Sequence, residues 1–304
     1  MHFGLNGISV CYVSRDEATK PTLDFCEYIP LDEKAGFLEK LALLLKNQDL
    51  EHARCTCVLP PDSHSLLLIE APDVQPAELK AAVRWRIKDL INFHIDDAVI
   101  DVFEIPEQNS APGRARLMYA VAARASQIHD NVESLEKTSL NLEMVDIPEL
   151  AIRNITSLLD DDIRGVAFLY LSQESGLITL TRQGSLYLSR NIDVGSNQMG
   201  NEQKGDELNP QAQQAFDKIV LEVQRSLDYY ESHFSQPPIT SLVIAPMGKE
   251  VAGILPHLSA NLGIAVSMFD INTVMDTNDE ISNDLQAKCL LAIGAGLRHE
   301  QKVL

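Results

Sequence analysis

The chain has 304 residues, 45% of them hydrophobic and 23% charged, and a formal net charge of −19. That length holds two domains, or one duplicated architecture with an insertion, and the composition is that of a globular protein with a buried core. The acidity speaks against nucleic acid, whose phosphates need clustered Lys and Arg, and against direct docking on an anionic membrane surface.

No run approaches the roughly 20 apolar residues of a spanning helix. Met1-His2-Phe3-Gly4 has neither the basic nor the apolar segment of a leader peptide. Membrane association is therefore expected to run through a protein partner, with no direct insertion. The five cysteines are odd in number, and only Cys55 and Cys57 are close in sequence. They read as packed thiols of a reducing, cytoplasmic compartment.

In chain order, strands are predicted over residues 3–5, 8–13 and 23–29. A helix follows over 31–47, with apolar positions at Phe37, Leu38, Leu41, Leu44 and Leu45, and then a strand over 53–59 closed by Pro60-Pro61. Residues 62–140 read as a small α+β unit of their own. It has a strand at 65–71, a helix from Pro76 to about residue 93, strands at 99–105 and 116–123 joined by a loose loop at 107–113, and a helix at 126–138. A strand at 142–147, a helix at 149–159 and the acidic run Asp160-Asp161-Asp162 lead into the second half.

There, three strand-sized apolar runs at 166–171, 177–181 and 186–192 are separated by Glu174-Ser175-Gly176 and Gln183-Gly184-Ser185, which predicts a meander. Past an aperiodic polar stretch at 199–210, Phe216, Ile219, Val220, Val223, Leu227, Tyr230 and Phe234 recur at helical spacing and give a long helix one apolar face. A strand at 241–246, a helix at 249–261, a strand at 265–269, an acidic loop to Asp284 and a small-residue-rich helix at 285–298 complete the chain. The order of elements in the first half recurs in the second, as an internal duplication would leave it.

No Walker A sequence, Rossmann fingerprint, nucleophile elbow or zinc-protease spacing is present, so no catalytic residue is assigned. Cys55 and Cys57, with His52 and His64 nearby, are better explained as core thiols than as a zinc site, and no metal is expected. The helix beginning near Glu78 carries an apolar stripe of Leu79, Val83, Ile87, Leu90 and Ile91. Arg84, Arg86 and Lys88 add positive charge on an acidic chain. Trp85, the only tryptophan, sits off that stripe, and Trp and Arg are the residues most enriched at binding hot spots. Arg84, Trp85, Ile87, Lys88 and Ile91 are the expected partner-binding set; the alternative is that Trp85 packs against neighbouring strands.

Five segments resemble the type IV pilus assembly protein PilM family: residues 79–91 with 97–101, then 140–151, 186–199, 222–230 and the ending at 295–298. The resemblance implies an α/β, actin-like fold (ribonuclease H-like and duplicated) with an inserted small α+β subdomain. The first subdomain would be residues 1–61, 141–164 and 285–304, the insertion 62–140, and the second subdomain 165–284. It also implies a protein peripheral to the inner membrane on its cytoplasmic side. Such a protein binds the tail of a membrane-anchored, PilN-type assembly protein in a groove between first subdomain and insertion, and connects to the pilus assembly motor. The acidic, motif-poor character is most similar to the branch serving mannose-sensitive haemagglutinin pili. Self-association, as a homodimer or along a filament axis, is a further expectation.

The family's nucleotide cleft maps onto degenerate turns. Asn6 stands where the family carries Asp, in a short turn with Gly7 and Ser9. Glu174 and Ser175 lie in a second turn that lacks its Asp-x-Gly opening. In the adenosine turn, Pro246 offers no N–H, and Met247-Gly248 supplies one Gly where the family has two. Gly195, Ser196, Asn197, Glu222 and Arg225 complete the set; Glu222 and Arg225 read equally as an i,i+3 surface pair. Losing two charge-assisted hydrogen bonds costs about 3–6 kcal/mol, or roughly two to four decades of affinity. ATP and Mg²⁺ are therefore disfavoured and the cleft reads as vestigial. The alternative is an actin-like ATP-binding protein or ATPase switch.

Overall fold

The structure, a computed structural model, describes residues 1–4, 6–15, 20–31, 36–106, 115–199, 210–234, 236–249 and 251–298. Its first elements are β1 (His2–Phe3), β2 (Gly7–Ser14), β3 (Thr22–Pro30), α1 (Phe37–Asn47) and β4 (Arg54–Val58). Next come β5 (His64–Glu70), α2 (Leu79–Ile87), β6 (Ala98–Glu104), β7 (Leu117–Arg124), α3 (Ala125–Glu136), β8 (Asn141–Asp146) and α4 (Pro148–Thr156). The rest are β9 (Val166–Leu171), β10 (Gly176–Arg182), β11 (Ser185–Ile192), α5 (Pro210–Phe234), β12 (Ser241–Ile244), α6 (Ile254–Leu262), β13 (Ala265–Met268), α7 (Ile271–Val274), β14 (Asp276–Thr277) and α8 (Asn283–Gly296).

These strands form three sheets, ordered β14-β3-β2-β1-β4-β8, β11-β10-β9-β12-β13 and β5-β7-β6. Apart from the edge strand β14, the two larger sheets share one plan. Numbered within each half, both run 3-2-1-4-5. In both, strand 2 is antiparallel to strand 1, and strands 4 and 5 continue in parallel. The repeat expected from element order is thus present as topology. The small sheet is inserted in sequence between β4 and β8, strands 4 and 5 of the first plan. By compactness the chain divides into one unit of Met1–Val10, Tyr28–Pro148 and Arg298–Leu304, and another of Cys11–Glu27 and Glu149–Leu297.

In the first unit, Leu41 and Leu45 of α1 and Cys57 and Val58 of β4 are fully buried. The insertion has a core of its own, in which Val83 and Ile87 of α2 cover Ile69, Val102, Met118, Ala120 and Ala122. On β7, Tyr119 is also buried, stacked on Phe103 at 5.1 Å between ring centroids. The helix expected to reach about residue 93 stops at Ile87: the Leu90 amide donates to Ile87 at 2.9 Å, and the following turns bring Ile91 and Phe93 back onto the same core.

In the second unit, β9 and β10 are buried almost throughout, as strands covered on both faces are. Phe216, Ile219, Val223, Leu227, Tyr230 and Phe234 form the buried face of α5, while Val220 is only half-buried. Asp162, from the acidic run that leads into the second half, is a buried clamp on the β10–β11 turn. Its carboxylate accepts from Thr181 Oγ1 at 3.0 Å and from the Gly184 amide at 2.6 Å. α8 follows α4 closely enough for Asn154 Nδ2 to donate to the Gly294 carbonyl at 2.8 Å. The helix expected over 249–261 begins at Ile254, because Gly253 holds a left-handed φ of 86°. The acidic loop before α8 contains α7 and β14, which its composition hid.

His2 sits buried in β1 with Nδ1 3.3 Å from the Val58 carbonyl, and burial lowers its pKa from the ordinary 6.5 to about 4 against that hydrogen bond. Between those values the unfolded chain binds the proton that the folded chain refuses, so stability present above pH 6.5 is lost as pH falls toward 4. We predict that the chain loses about 3 kcal/mol across this window. His2→Gln should abolish that loss, as read by urea denaturation at the two pH values; an equal loss in the variant would assign the acid sensitivity elsewhere.

Candidate functional site

The turn joining β9 to β10 is closed on itself. The Ser172 amide donates to Ser175 O at 2.8 Å, and the Ser175 amide donates to Ser172 Oγ at 3.0 Å. The segment after β11 is laid onto this turn: the Ser196 amide donates to Ser172 O at 2.9 Å, and the Asn197 amide to Gln173 O at 3.0 Å. Asn197 Nδ2 then donates to the Glu174 carboxylate at 2.7 Å. Gly195 makes the approach possible, since a Cβ there would lie 2.3 Å from Gln173 O and 2.4 Å from the Glu174 carbonyl carbon. So Glu174, Ser175, Gly195, Ser196 and Asn197 are brought together, with four of their region's amides already donated to protein oxygens.

Glu222 and Arg225 lie on α5. Burial of Glu222 opposes its charge, but hydrogen bonds from Arg190 at 3.1 Å and Arg225 at 2.7 Å outweigh it and hold the carboxyl below the usual carboxylate range. Arg190, on β11, was not singled out from sequence; nothing local marks it, because its partner lies 32 positions on.

Met247 and Gly248 line a cavity of about 570 Å³ at the C-terminal ends of β12 and β13, walled by Pro246, Val251, Ile254, Met268 and Phe269 among others. Its size and apolar lining are those of a small-molecule pocket. Gly248 stands near the start of α8, where an added Cβ would come within 3.2 Å of the Asp284 carboxylate. Sequence alone pointed to the turn but not to the walls, which come from α6 and the end of β13.

The remaining turn residues belong to the first unit. Here the Gly4 amide donates to Gly7 O at 2.8 Å and the Leu31 amide to Asn6 O at 3.0 Å; Ser9 is buried in β2 opposite His2. On the insertion, Trp85 is 73% exposed, so it does not pack against neighbouring strands, and the Lys88 ammonium lies 5.2 Å from its ring centroid. Arg84 is already engaged, bonded to the Asp96 carboxylate at 3.1 Å. Ile87 is fully buried and Ile91 packs on the same core, so these two support the surface from below. Leu90 and Val99 are exposed apolar residues of the insertion that the expected set omitted.

Comparison with known proteins bears on both regions. No curated protein matches the sequence. Residues 67–215, from within β5 into α5, match the family model described as type IV pilus assembly protein PilM. A solved structure described as a PilM–PilN type IV pilus biogenesis complex aligns with a TM-score of 0.74 at 18% identity, covering 97% of this chain and 96% of that one. A Bacteroides thetaiotaomicron protein, described as having an actin-like ATPase fold and unknown function, aligns with a TM-score of 0.50 at 10% identity, covering 95% and 93%. The fold is actin-like. Of the segments that resembled PilM, those at 79–91 with 97–101, 140–151 and 186–199 fall within the stretch that the family model matches, while 222–230 and 295–298 lie beyond it; the α/β class expected from sequence holds.

Gly195→Ala should force the 195–197 segment off the β9–β10 turn. We predict a loss of about 1–3 kcal/mol, seen as a lower urea midpoint with an unchanged slope; a variant as stable as the parent would mean that this contact is slack.

Proposed function

We propose that this chain is a PilM-type scaffold of type IV pilus biogenesis, of the mannose-sensitive haemagglutinin (MSHA) branch. It would work on the cytoplasmic face of the inner membrane, held there by the tail of a membrane-anchored, PilN-type protein. In this reading residues 62–140 are an insertion into a first actin-like subdomain (1–61, 141–164 and 285–304), followed by a second (165–284). The tail lies in a groove between first subdomain and insertion. The same scaffold passes force or position to the assembly motor, and a homodimer is compatible with it.

The observation that carries the non-catalytic part is the closed state of the turns. Phosphate binding in such a fold draws on free backbone amides. Here Ser172, Ser175, Ser196 and Asn197 give theirs to protein oxygens, and Glu174 adds negative charge at the same place. Opening the turns for a triphosphate would break those bonds before making new ones. Calorimetric titration of the full chain with Mg·ATP should therefore be silent up to millimolar nucleotide; a micromolar affinity would overturn the scaffold reading. The second reading, an ATP-binding switch, draws on the cavity beside Met247 and Gly248, which is large enough for a nucleobase.

For the partner surface, the supporting observation is the exposed Trp85, bracketed by Lys88 and near Leu90 in sequence, on a chain with little other reason to show aromatic area to water. Trp85→Ala should weaken capture of a synthetic PilN-type tail peptide by about 2 kcal/mol, roughly thirtyfold, measured by fluorescence polarisation. Far-ultraviolet dichroism should stay unchanged, because the side chain supports no core. Undiminished binding would remove this helix from the groove.

A further inference from the structure

Three cysteines that are far apart in sequence meet in the second unit. Cys11 lies on β2, Cys26 on β3 and Cys289 on α8, and their three Sγ atoms lie within 4.8 Å of one another. Cys11 and Cys26 stand 3.4 Å apart. Cys289 is fully buried, whereas the other two are half-buried, which leaves a way in from solvent. None of the five cysteines is in a disulfide.

This spacing is that of a ligand set. Three sulfurs placed about 2.3 Å from one ion in a plane stand about 4.0 Å from each other, a separation that falls inside the observed spread and asks for shifts of under an ångström. Three separate elements supply the sulfurs, so the strands and the helix hold them in place without help from one another's loops. Thiolates select soft ions, chiefly Cu(I) and Zn²⁺. Zinc takes four ligands in structural sites, and among the described residues no histidine or carboxylate joins this group.

We propose that Cys11, Cys26 and Cys289 form a three-coordinate thiolate site for a single Cu(I) ion. On binding, the ion replaces the thiol protons, which pass to solvent. It cross-links β2, β3 and α8, and so stiffens the second unit. Cys55 and Cys57 lie apart from this group, both on β4 of the first unit, and take no part.

The test is anaerobic titration of the full-length reduced chain with Cu(I) buffered by a chromogenic chelator, with Zn²⁺ in a parallel arm. One equivalent should be held against the chelator, with thiolate-to-copper charge-transfer absorption. Affinity should fall by at least about tenfold in each of Cys11→Ser, Cys26→Ser and Cys289→Ala, while Cys55→Ala and Cys57→Ala retain it. Far-ultraviolet dichroism identifies any variant that fails to fold, and the remaining two then decide. The proposal is overturned if copper stays with the chelator, if binding survives loss of any one of the three sulfurs, or if zinc competes on equal terms. It is also overturned if mild oxidation by a disulfide joins Cys11 to Cys26 while the reduced chain binds no copper, which would make the cluster a redox pair.

Discussion

The contact between β11 and α5 sets the geometry of the second unit. Tyr187 of β11 is buried with its ring edge-on to Tyr230 and Phe234, both at 5.5 Å between centroids. Three residues on, Arg190 reaches Glu222, and beyond the strand the Lys218 ammonium donates to Asp193 O at 3.2 Å. As the strand advances, its partners recede along the helix, so the two run antiparallel in a register fixed at three points. Edge-to-face aromatic pairs add roughly 0.5–1.5 kcal/mol each beyond the area they bury, enough to fix that register. Everything after Ile192 is delivered from this track, and that is why Gly195 comes down on the β9–β10 turn.

Seen in this way, the closed turns are a consequence of packing. A phosphate-binding loop keeps its amides unpaired and pointed at solvent, which costs stability until a ligand arrives. Here the cost has been removed by pairing those amides internally, and the glycine that would give a loop freedom serves close approach instead. The Arg190–Glu222–Arg225 cluster follows the same logic, its charges engaged with one another. Turns paired in this way gain rigidity, where a nucleotide switch would need two states of similar energy.

How much of this was legible in the sequence follows from the range of each interaction. The meander, its turns and the face of α5 were legible because they rest on periodicity within a few residues, and β9 begins and ends where the apolar run does. The end of α2 was not, because the run to residue 93 has helical composition and only the insertion's core pulls Ile91 and Phe93 out of the helix. α7 and β14 were hidden by acidic residues that read as loop. The Cys11–Cys26–Cys289 cluster, Arg190 and the cavity walls are long-range assemblies; no local pattern announces them. Trp85 sits between the cases: its position off the apolar stripe marked it for exposure, and the structure decided against its packing on strands.

The two halves share a sheet order yet differ in what interrupts it. In the second sheet, β12 leads to β13 through α6 alone, a crossover of ordinary length; in the first, the passage from β4 to β8 carries a whole sheet and two helices. A crossover is where an actin-like plan tolerates such an addition, because strands 4 and 5 are parallel neighbours and their connection must leave the sheet in any case. The insertion closes a core of its own over Val83 and Ile87, while its helix α3 also packs against the flanking strand β8. With that core closed from within, Trp85 and Leu90 are left to solvent. An exposed tryptophan can stand there without disturbing the core, while the two larger sheets keep the frame.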